Sequence, residues 1–432
     1  MNIGHAALSK IYHELQLAYV LDNRRRYEQC TYIHNAILKM LVYSRLLHPG
    51  SIKQVWETRG VFVDAMDFSL ADVYHSLAFF HSFKGTLLTT LEKGLEKERG
   101  KAKTIFSYEC NKAYIGPASQ DDHTPNTIGL VAISLCADED GIPLSYELSH
   151  TNKSGGSPSP SFLPNLAGKD KKKSDGMFVF VTDTPNEAEL DQMLRDGNSF
   201  IVGYPLSEGE EEIMGYALDP SEYWYKKKSI DKNTGKLTIK DCPWDPQAPM
   251  TQDVFRFKTR NFSNLWSDLH RSLPQTVKLV VTYNQEDEDY EQLEGYQVLL
   301  TNRLDMHVDQ IISSFYRLRE IEEMFAVPQT EVSTRPATEI EEYLEVHFLT
   351  CYLACTLLSI VSKRLEGVYS NDEILENLKN CNAYHLGENI YRCYHTSDCL
   401  QAIGRAFDLD FTRKNLTRAD ISELVGRSKK KE

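Results

Sequence analysis

The stretch Phe178-Val179-Phe180-Val181-Thr182-Asp183 decides the fold of this chain. Consecutive apolar, β-favouring residues are typical of a strand that is buried on both faces, as in a parallel sheet. The charged Asp183 stands where this strand should end, and ligands bind at the carboxyl ends of strands in open α/β sheets. On its own, a polar strand end is the simpler explanation of Asp183, so the neighbouring segments decide its meaning.

Further β-favouring runs surround this stretch, and they are residues 104–108, 127–136, 143–148 and 200–203. The second and third runs are joined by Asp138-Glu139-Asp140-Gly141, a turn sequence typical of β-hairpins. Residues 187–195 have the apolar spacing of a short helix. A hairpin followed by strand, helix and strand predicts a mixed α/β sheet flanked by helices.

The rest of the chain suggests a division into five segments. Apolar residues recur at helical spacing before residue 100, aromatic and β-favouring sequence fills the middle, and helical spacing returns after Met306. The predicted segments are an N-terminal helical region at 1–100, a first part of the sheet core at 101–204, an inserted β-rich subdomain at 205–300, a second part of the core with an acidic helix at 301–368, and a C-terminal helical tail at 369–432.

The charge of the chain limits how it could contact nucleic acid. With 48 basic and 62 acidic residues the net charge is -14, which argues against a surface that binds DNA all over. A negative net charge still allows local basic patches on the surface. Basic runs occur at residues 24–26, 169–173, 226–228 and 429–431. For each run, a solvated loop or tail is the simpler interpretation.

Other features bear on the cellular location. No basic segment followed by an apolar core opens the sequence, so no signal peptide is visible. Nine cysteines without a disulfide framework indicate reduced thiols, as in a cytoplasm. The most apolar stretch, 348–361, is shorter than a membrane span and favours a buried helix. We therefore expect a cytoplasmic protein without a membrane partner.

Two more carboxylates stand out by position. Glu109 follows the run 104–108 as Asp183 follows its own strand, and Glu322 lies in an amphipathic helical stretch, 315–325. Singly, each is more simply explained as a polar strand end or a solvated helix face. Together, two strand-end carboxylates and one from a later helix suit a pair of divalent ions, because Mg²⁺ prefers oxygen ligands. Two such ions, roughly 3.5–4 Å apart, can activate a water or a 3′ hydroxyl at a phosphodiester.

Short motifs in a fixed order connect these carboxylates. They include Tyr108-Glu109-Cys110-Asn111, Asp140-Gly141-Ile142-Pro143-Leu144, Val181-Thr182-Asp183, Gly295-Tyr296-Gln297-Val298, Ile321-Glu322-Glu323-Met324-Phe325, Arg335-Pro336 and Val346-His347-Phe348-Leu349. No single motif is specific, but their order and spacing over residues 2–367 are. In this respect the chain resembles the DDE transposases of bacterial insertion sequences, in particular the type-four group, whose RNase H-like catalytic domain carries a β insertion.

The resemblance implies an activity and partners as well as an RNase H-like fold. The expected enzyme is a transposase that binds terminal inverted repeats in double-stranded DNA, cleaves the strands as an endonuclease and joins them to target DNA. A homodimer on DNA is the expected assembly. The catalytic residues and ligands of two Mg²⁺ (or Mn²⁺) ions would be Glu109, Asp183 and Glu322. The DNA-contacting positions would be Lys112, Arg319 and Gln329.

The sequence departs from the family's pattern at several positions. Glu109 replaces an Asp and is one methylene longer, which near-octahedral Mg²⁺ coordination tolerates poorly. Gln329 stands where the family has Lys, and the acidic helix allows a second register with Glu323 in place of Glu322. These departures favour an alternative function, a catalytically impaired, transposase-derived protein that binds DNA or another protein. An RNase H-like nuclease unconnected with transposition is a third hypothesis.

Overall fold

The computed structural model describes residues 1–25, 32–64, 66–98, 103–115, 128–151, 177–183, 197–206, 211–230, 237–245, 255–263, 276–284 and 295–430. The chain forms two compact units. The first unit consists of Met1–Ala102, Asn111–Ser159 and Ile321–Glu432, and the second of Lys103–Cys110 and Pro160–Glu320. The expected helix at 187–195 and the basic run at 169–173 lie outside the described residues.

The helices of the described chain follow its order. They are α1 (His5–Glu14), α2 (Leu17–Arg25), α3 (His34–Leu47), α4 (Ile52–Thr58), α5 (Leu70–Leu95), α6 (Glu211–Leu218), α7 (Val308–Met324), α8 (Gln329–Val332), α9 (Ala337–Arg364), α10 (Asn371–Asn380), α11 (Asp398–Ala406) and α12 (Arg418–Ser428). The first five helices fill the region where the sequence predicts them. Ser51 and Ser69 begin α4 and α5 with capping boxes, which satisfy N–H groups that a helix start leaves unpaired.

Ten strands form one mixed sheet in the order β3-β2-β1-β4-β5-β10-β9-β8-β6-β7. They are β1 (Thr104–Ile115), β2 (Ile128–Ala137), β3 (Pro143–Thr151), β4 (Met177–Thr182), β5 (Ser199–Tyr204), β6 (Trp224–Ile230), β7 (Leu237–Pro243), β8 (Arg256–Ser263), β9 (Thr276–Tyr283) and β10 (Tyr296–Thr301). Strands β2 and β3 form the predicted hairpin, and β1, β4 and β5 run parallel. The predicted fold class, a mixed α/β sheet flanked by helices, is confirmed.

The predicted β-rich insertion at 205–300 supplies strands to the same sheet as the core strands. Strand β10 pairs antiparallel with β5 on one side and with β9 on the other, so β9, β8, β6 and β7 extend the same sheet. The insertion is therefore present as predicted, and its strands continue the sheet of the core, a pairing that the sequence composition does not reveal. These strands belong to the second unit together with the first half of β1.

One face of the second unit's sheet packs under α6. Phe200, Val202, Leu279 and Val281 are almost fully buried there, and Ile213 of α6 lies in the same cluster. Side chains alternate between the two faces of a strand, so Gly203 lies on the opposite face from Val202. That opposite face carries the site described below.

Helix α9 is the apolar helix of the first unit. Within the described chain it alone is long and apolar enough to cross a membrane by length and composition, and 89% of its most apolar window is buried inside the protein. This agrees with the prediction of a buried helix over 348–361. Tyr352 of α9 packs against Tyr146 of β3, with ring centroids 4.7 Å apart.

The segment 369–432 contains strands as well as helices. Strands β11 (Ala383–Gly387), β12 (Ile390–Cys393) and β13 (Asn415–Thr417) form a small antiparallel sheet. Over its described residues, the segment predicted as a C-terminal helical tail therefore holds three helices and, in addition, a small sheet. These strands have five, four and three residues, which is too short for a clear alternating pattern in sequence.

Two of the basic runs are held by carboxylates. Lys226 lies 2.8 Å from Asp241 and 2.6 Å from Asp309 within the second unit. In the first unit Lys429 lies 2.7 Å from Asp64, whose side chain is largely buried. These two lysines form ion pairs within their own units, and the run 226–228 lies in strand β6, whereas a solvated loop or tail was expected there.

Candidate active site

Asp183 directly follows β4 and lies on the sheet face that α7 covers in the second unit. Thr182 pairs with Val202 of the parallel strand β5, so Asp183 stands opposite Gly203. A Cβ atom placed on Gly203 would lie 2.7 Å from Oδ1 of Asp183, 2.6 Å from its carbonyl oxygen and 3.1 Å from Cζ of Phe315 in α7. Asp183 is exposed, so its carboxylate is open to a ligand.

Glu109 lies on the other face of the sheet. It is the sixth residue of the 12-residue strand β1, so the expectation that it ends a strand was wrong. Its neighbour Tyr108 pairs with Val181, so the side chains of Tyr108 and Val181 lie on the same face of the sheet. Asp183 follows Val181 by two residues and therefore lies on that face as well. Burial raises the pKa of Tyr108 to about 12, while the nearby Arg317 and Ser314 of α7 lower it. Because Glu109 follows Tyr108, strand alternation directs its side chain away from α7.

The acidic helix distinguishes the two registers. At about 100° per residue, Glu322 lies about 20° around α7 from Phe315, whereas Glu323 lies about 80° from it. Phe315, Leu318 and Phe325 are fully buried, Glu322 is half-buried and Glu323 is exposed. Glu322 therefore belongs to the buried stripe of the helix, which favours the first register. Its role as a metal ligand stays a prediction.

The side chain of Gln329 forms hydrogen bonds with the backbone of β1 within the first unit. Its Nε2 donates to the carbonyl oxygen of Ala113 at 2.7 Å, and its Oε1 accepts from the N–H of Ile115 at 3.0 Å. An amide can donate and accept at once, whereas the lysine of the family pattern could only donate. The exchange thus has a structural explanation, and a DNA contact by Gln329 stays a prediction.

The other two expected DNA contacts lie on different elements. Arg319 is exposed on α7, donates to Oε1 of Gln297, and has its guanidinium 6.0 Å from the ring centroid of Tyr316. Lys112 is half-buried in β1. The exposed guanidinium remains a suitable group for a phosphate.

The carboxylate chemistry suits divalent cations, but the described structure does not assemble the full predicted set. Asp183 and Glu322 offer the hard oxygen donors that Mg²⁺ and Mn²⁺ prefer. Glu109 faces away from Asp183 across the sheet. Within the described ranges, no group of three or more His, Cys, Asp or Glu side chains is placed to hold a metal ion.

The sequence interpretation missed two residues that shape this region. Gly203 was taken only as part of a strand, although a glycine inside a buried run is a signal of close backbone approach. Arg45, which binds the end of α7, gives no sequence signal, because its partners are backbone carbonyls.

Comparisons with known proteins leave the family open. No protein-family model and no curated protein matches this chain. Among solved structures, a piggyBac transposase synaptic complex with hairpin DNA is similar at 8% identity and a TM-score of 0.36, covering 100% of this chain and 85% of that one. The NurA nuclease from Sulfolobus solfataricus is similar at 12% identity and a TM-score of 0.20, covering 63% of this chain and 94% of that one. Both scores lie below 0.5, so neither carries an argument about function.

We expect Gly203→Ala to lower the free energy of unfolding by roughly 1–3 kcal/mol, because the added methyl group collides with the backbone of Asp183. Urea denaturation would measure this change. Gly215→Ala is the matched control, since a Cβ there meets nothing within 4 Å and alanine favours the interior of α6. Equal stability of the two variants would contradict the predicted close approach.

Proposed function

We propose that this protein is a DDE-type transposase that binds the ends of a mobile DNA element and catalyses strand cleavage and transfer. The observation that supports this best is Asp183, whose exposed carboxylate follows β4 of an RNase H-like sheet on the face covered by α7. Helix α7 in turn carries Glu322, whose side chain is half-buried.

In this proposal the carboxylates and the basic residues have different roles. Asp183 and Glu322 provide carboxylate oxygens for divalent cations, which when bound supply Lewis-acid activation of a water or a 3′ hydroxyl. Arg319 and Lys112 would bind phosphates of the DNA and fix its register. No side chain serves as a nucleophile in this proposal, so no covalent protein–DNA intermediate forms.

Cleavage of DNA tests the proposal. The purified full chain would be incubated with duplexes that carry the inverted repeats flanking its coding sequence, in Mg²⁺ or Mn²⁺. We expect nicks at the repeat ends in both Mn²⁺ and Mg²⁺, because both are hard cations that carboxylate oxygens bind. A duplex of the same length without the repeats is the control, and equal cleavage of both would contradict the proposal.

A second function has specific support. Glu109 faces away from Asp183, and Gln329 is held by the backbone of β1. Both favour a transposase-derived protein that binds DNA or another protein without strand chemistry. Calorimetry distinguishes the two, since a chain that binds repeat DNA but takes up no Mn²⁺ supports the second function and excludes the first.

A further inference from the structure

Two side chains of the first unit hold the C-terminal end of α7. Arg45 of α3 donates from Nε to the carbonyl oxygen of Met324 at 2.7 Å, and from Nη2 to that of Ala326 at 2.7 Å. Nε2 of His347, in α9, lies 3.1 Å from the same oxygen of Ala326. Because a carbonyl oxygen only accepts, Nε2 of His347 carries the proton. We call Arg45 and His347 the carbonyl clamp.

The carbonyl clamp combines one charge with one neutral donor. Arg45 places a positive charge at the negative end of the α7 dipole and binds a carbonyl that the helix end leaves without an intrahelical partner. His347 is neutral, since burial and then the charge of Arg45 lower its pKa to about 3. The carbonyl clamp therefore keeps the same charge state at neutral and mildly acidic pH.

Packing and hydrogen bonds fix the chain on both sides of the clamped oxygens. Phe325, between Met324 and Ala326, is fully buried and stacks on Phe348 with ring centroids 6.1 Å apart. Further along, the largely buried carboxylate of Glu331 accepts hydrogen bonds from several groups of the first unit. The donors are the N–H of Ile52, the hydroxyls of Tyr74 and Tyr343, and the guanidinium of Arg335.

We propose that Arg45 and His347 are positioning residues that set the rotation of the last turn of α7 and thereby aim Glu322. The inference rests on the proposed function, since it concerns the carboxylate that this function needs. Glu322 lies two residues before Met324, whose carbonyl Arg45 binds. A displacement of about 1 Å in a catalytic group can lower a rate about 100-fold, so a loosened turn should affect the reaction. The same holds if Glu323 is the ligand, because it lies on the same turn.

Arg45→Ala is the main test, with Arg59→Ala as its matched control in the full chain. Arg59 also binds backbone carbonyls of the first unit, those of Trp56 at 2.7 Å and Met66 at 3.1 Å, but none in α7. In Arg45→Ala we expect amide hydrogen exchange of residues 321–327 to rise about tenfold or more. We expect the Mn²⁺ concentration for half-maximal DNA cleavage to rise about tenfold with unchanged DNA affinity. Arg59→Ala should leave both quantities at the parent's values.

Conservative variants distinguish the effect of hydrogen-bond donation by Arg45 and His347 from the effect of their side-chain volume. Arg45→Lys keeps the charge but cannot reach two carbonyls with a rigid fork, so it should lie between the parent and Arg45→Ala. His347→Gln keeps a neutral donor and should retain the parent's Mn²⁺ requirement, whereas His347→Ala should raise the Mn²⁺ concentration needed for half-maximal cleavage. A merely structural role of His347 would not be rescued by a donor of different shape.

The outcomes separate this inference from the proposed function. Unchanged exchange at 321–327 in Arg45→Ala overturns the carbonyl clamp, as does faster exchange there without a change in the Mn²⁺ requirement. An equal effect of Arg59→Ala also overturns it. If the parent binds Mn²⁺ but does not cleave DNA, the proposed function fails. The effect of Arg45→Ala and Arg59→Ala is then measured as a change in Mn²⁺ affinity by calorimetry. A parent that neither cleaves nor binds Mn²⁺ overturns both.

Discussion

Asp183→Asn should lower the rate of strand cleavage at least about 100-fold while leaving the melting temperature within a few degrees of the parent's. Asparagine has nearly the same shape as aspartate but lacks the negative charge and one hard oxygen donor. The side chain of Asp183 is exposed, so its replacement leaves no buried partner without a hydrogen bond. Gel-based cleavage of repeat DNA and thermal unfolding would measure the two quantities.

Amide variants of the other acidic residues serve as internal controls. Glu322→Gln should lower cleavage as Asp183→Asn does, and Glu323→Gln should cleave like the parent, because Glu323 lies on the exposed side of α7. The reverse order would show that the helix register is wrong by one residue. Parental cleavage by Asp183→Asn would show that the proposed chemistry is wrong.

The strands of the core could be predicted because buried strands consist of consecutive apolar residues. Phe178–Val181 and Phe200–Val202 are continuous apolar runs, and the turn at Gly141 marks the hairpin between β2 and β3. Local patterns of this kind depend on side chains a few residues apart, which the sequence displays directly.

The site could be predicted less well because it depends on distant partners. The run at 104–108 stops before Glu109 when only apolar residues are counted, but β1 continues to Ile115. The face occupied by Glu109 follows from the pairing of Tyr108 with Val181, which no local pattern reveals. The same reason explains Gln329, whose role became visible only with its backbone partners.

Buried histidines should make the first unit sensitive to acid. Burial, the largest cause in each case, lowers the pKa of His5 and His13 to about 4 and that of His347 to about 3. The unfolded chain titrates these side chains near 6.5, so between pH 6.5 and about 4 it binds up to three more protons than the folded chain. Stability is therefore full above pH 6.5 and falls as the pH is lowered through this window.

The expected slope is on the order of 1.4 kcal/mol per pH unit for each of the three histidines once the pH is well below 6.5. Protonation is opposed most directly at His13, whose Nε2 lies 3.2 Å from Nζ of Lys39 and whose Nδ1 lies 2.7 Å from the carbonyl oxygen of Ser9. A proton on Nε2 would remove the acceptor of Lys39 and place two positive charges side by side.

Urea denaturation at a series of pH values from 7.5 to 4.5 would measure this loss. His13→Gln removes one titrating group while keeping an amide near the hydrogen-bonding atoms, so its stability should fall by about one third less over the window. His81→Gln, at an exposed position on α5, is the matched control. A parent whose stability is constant from pH 7 to 5 would contradict the lowered pKa values of these three histidines.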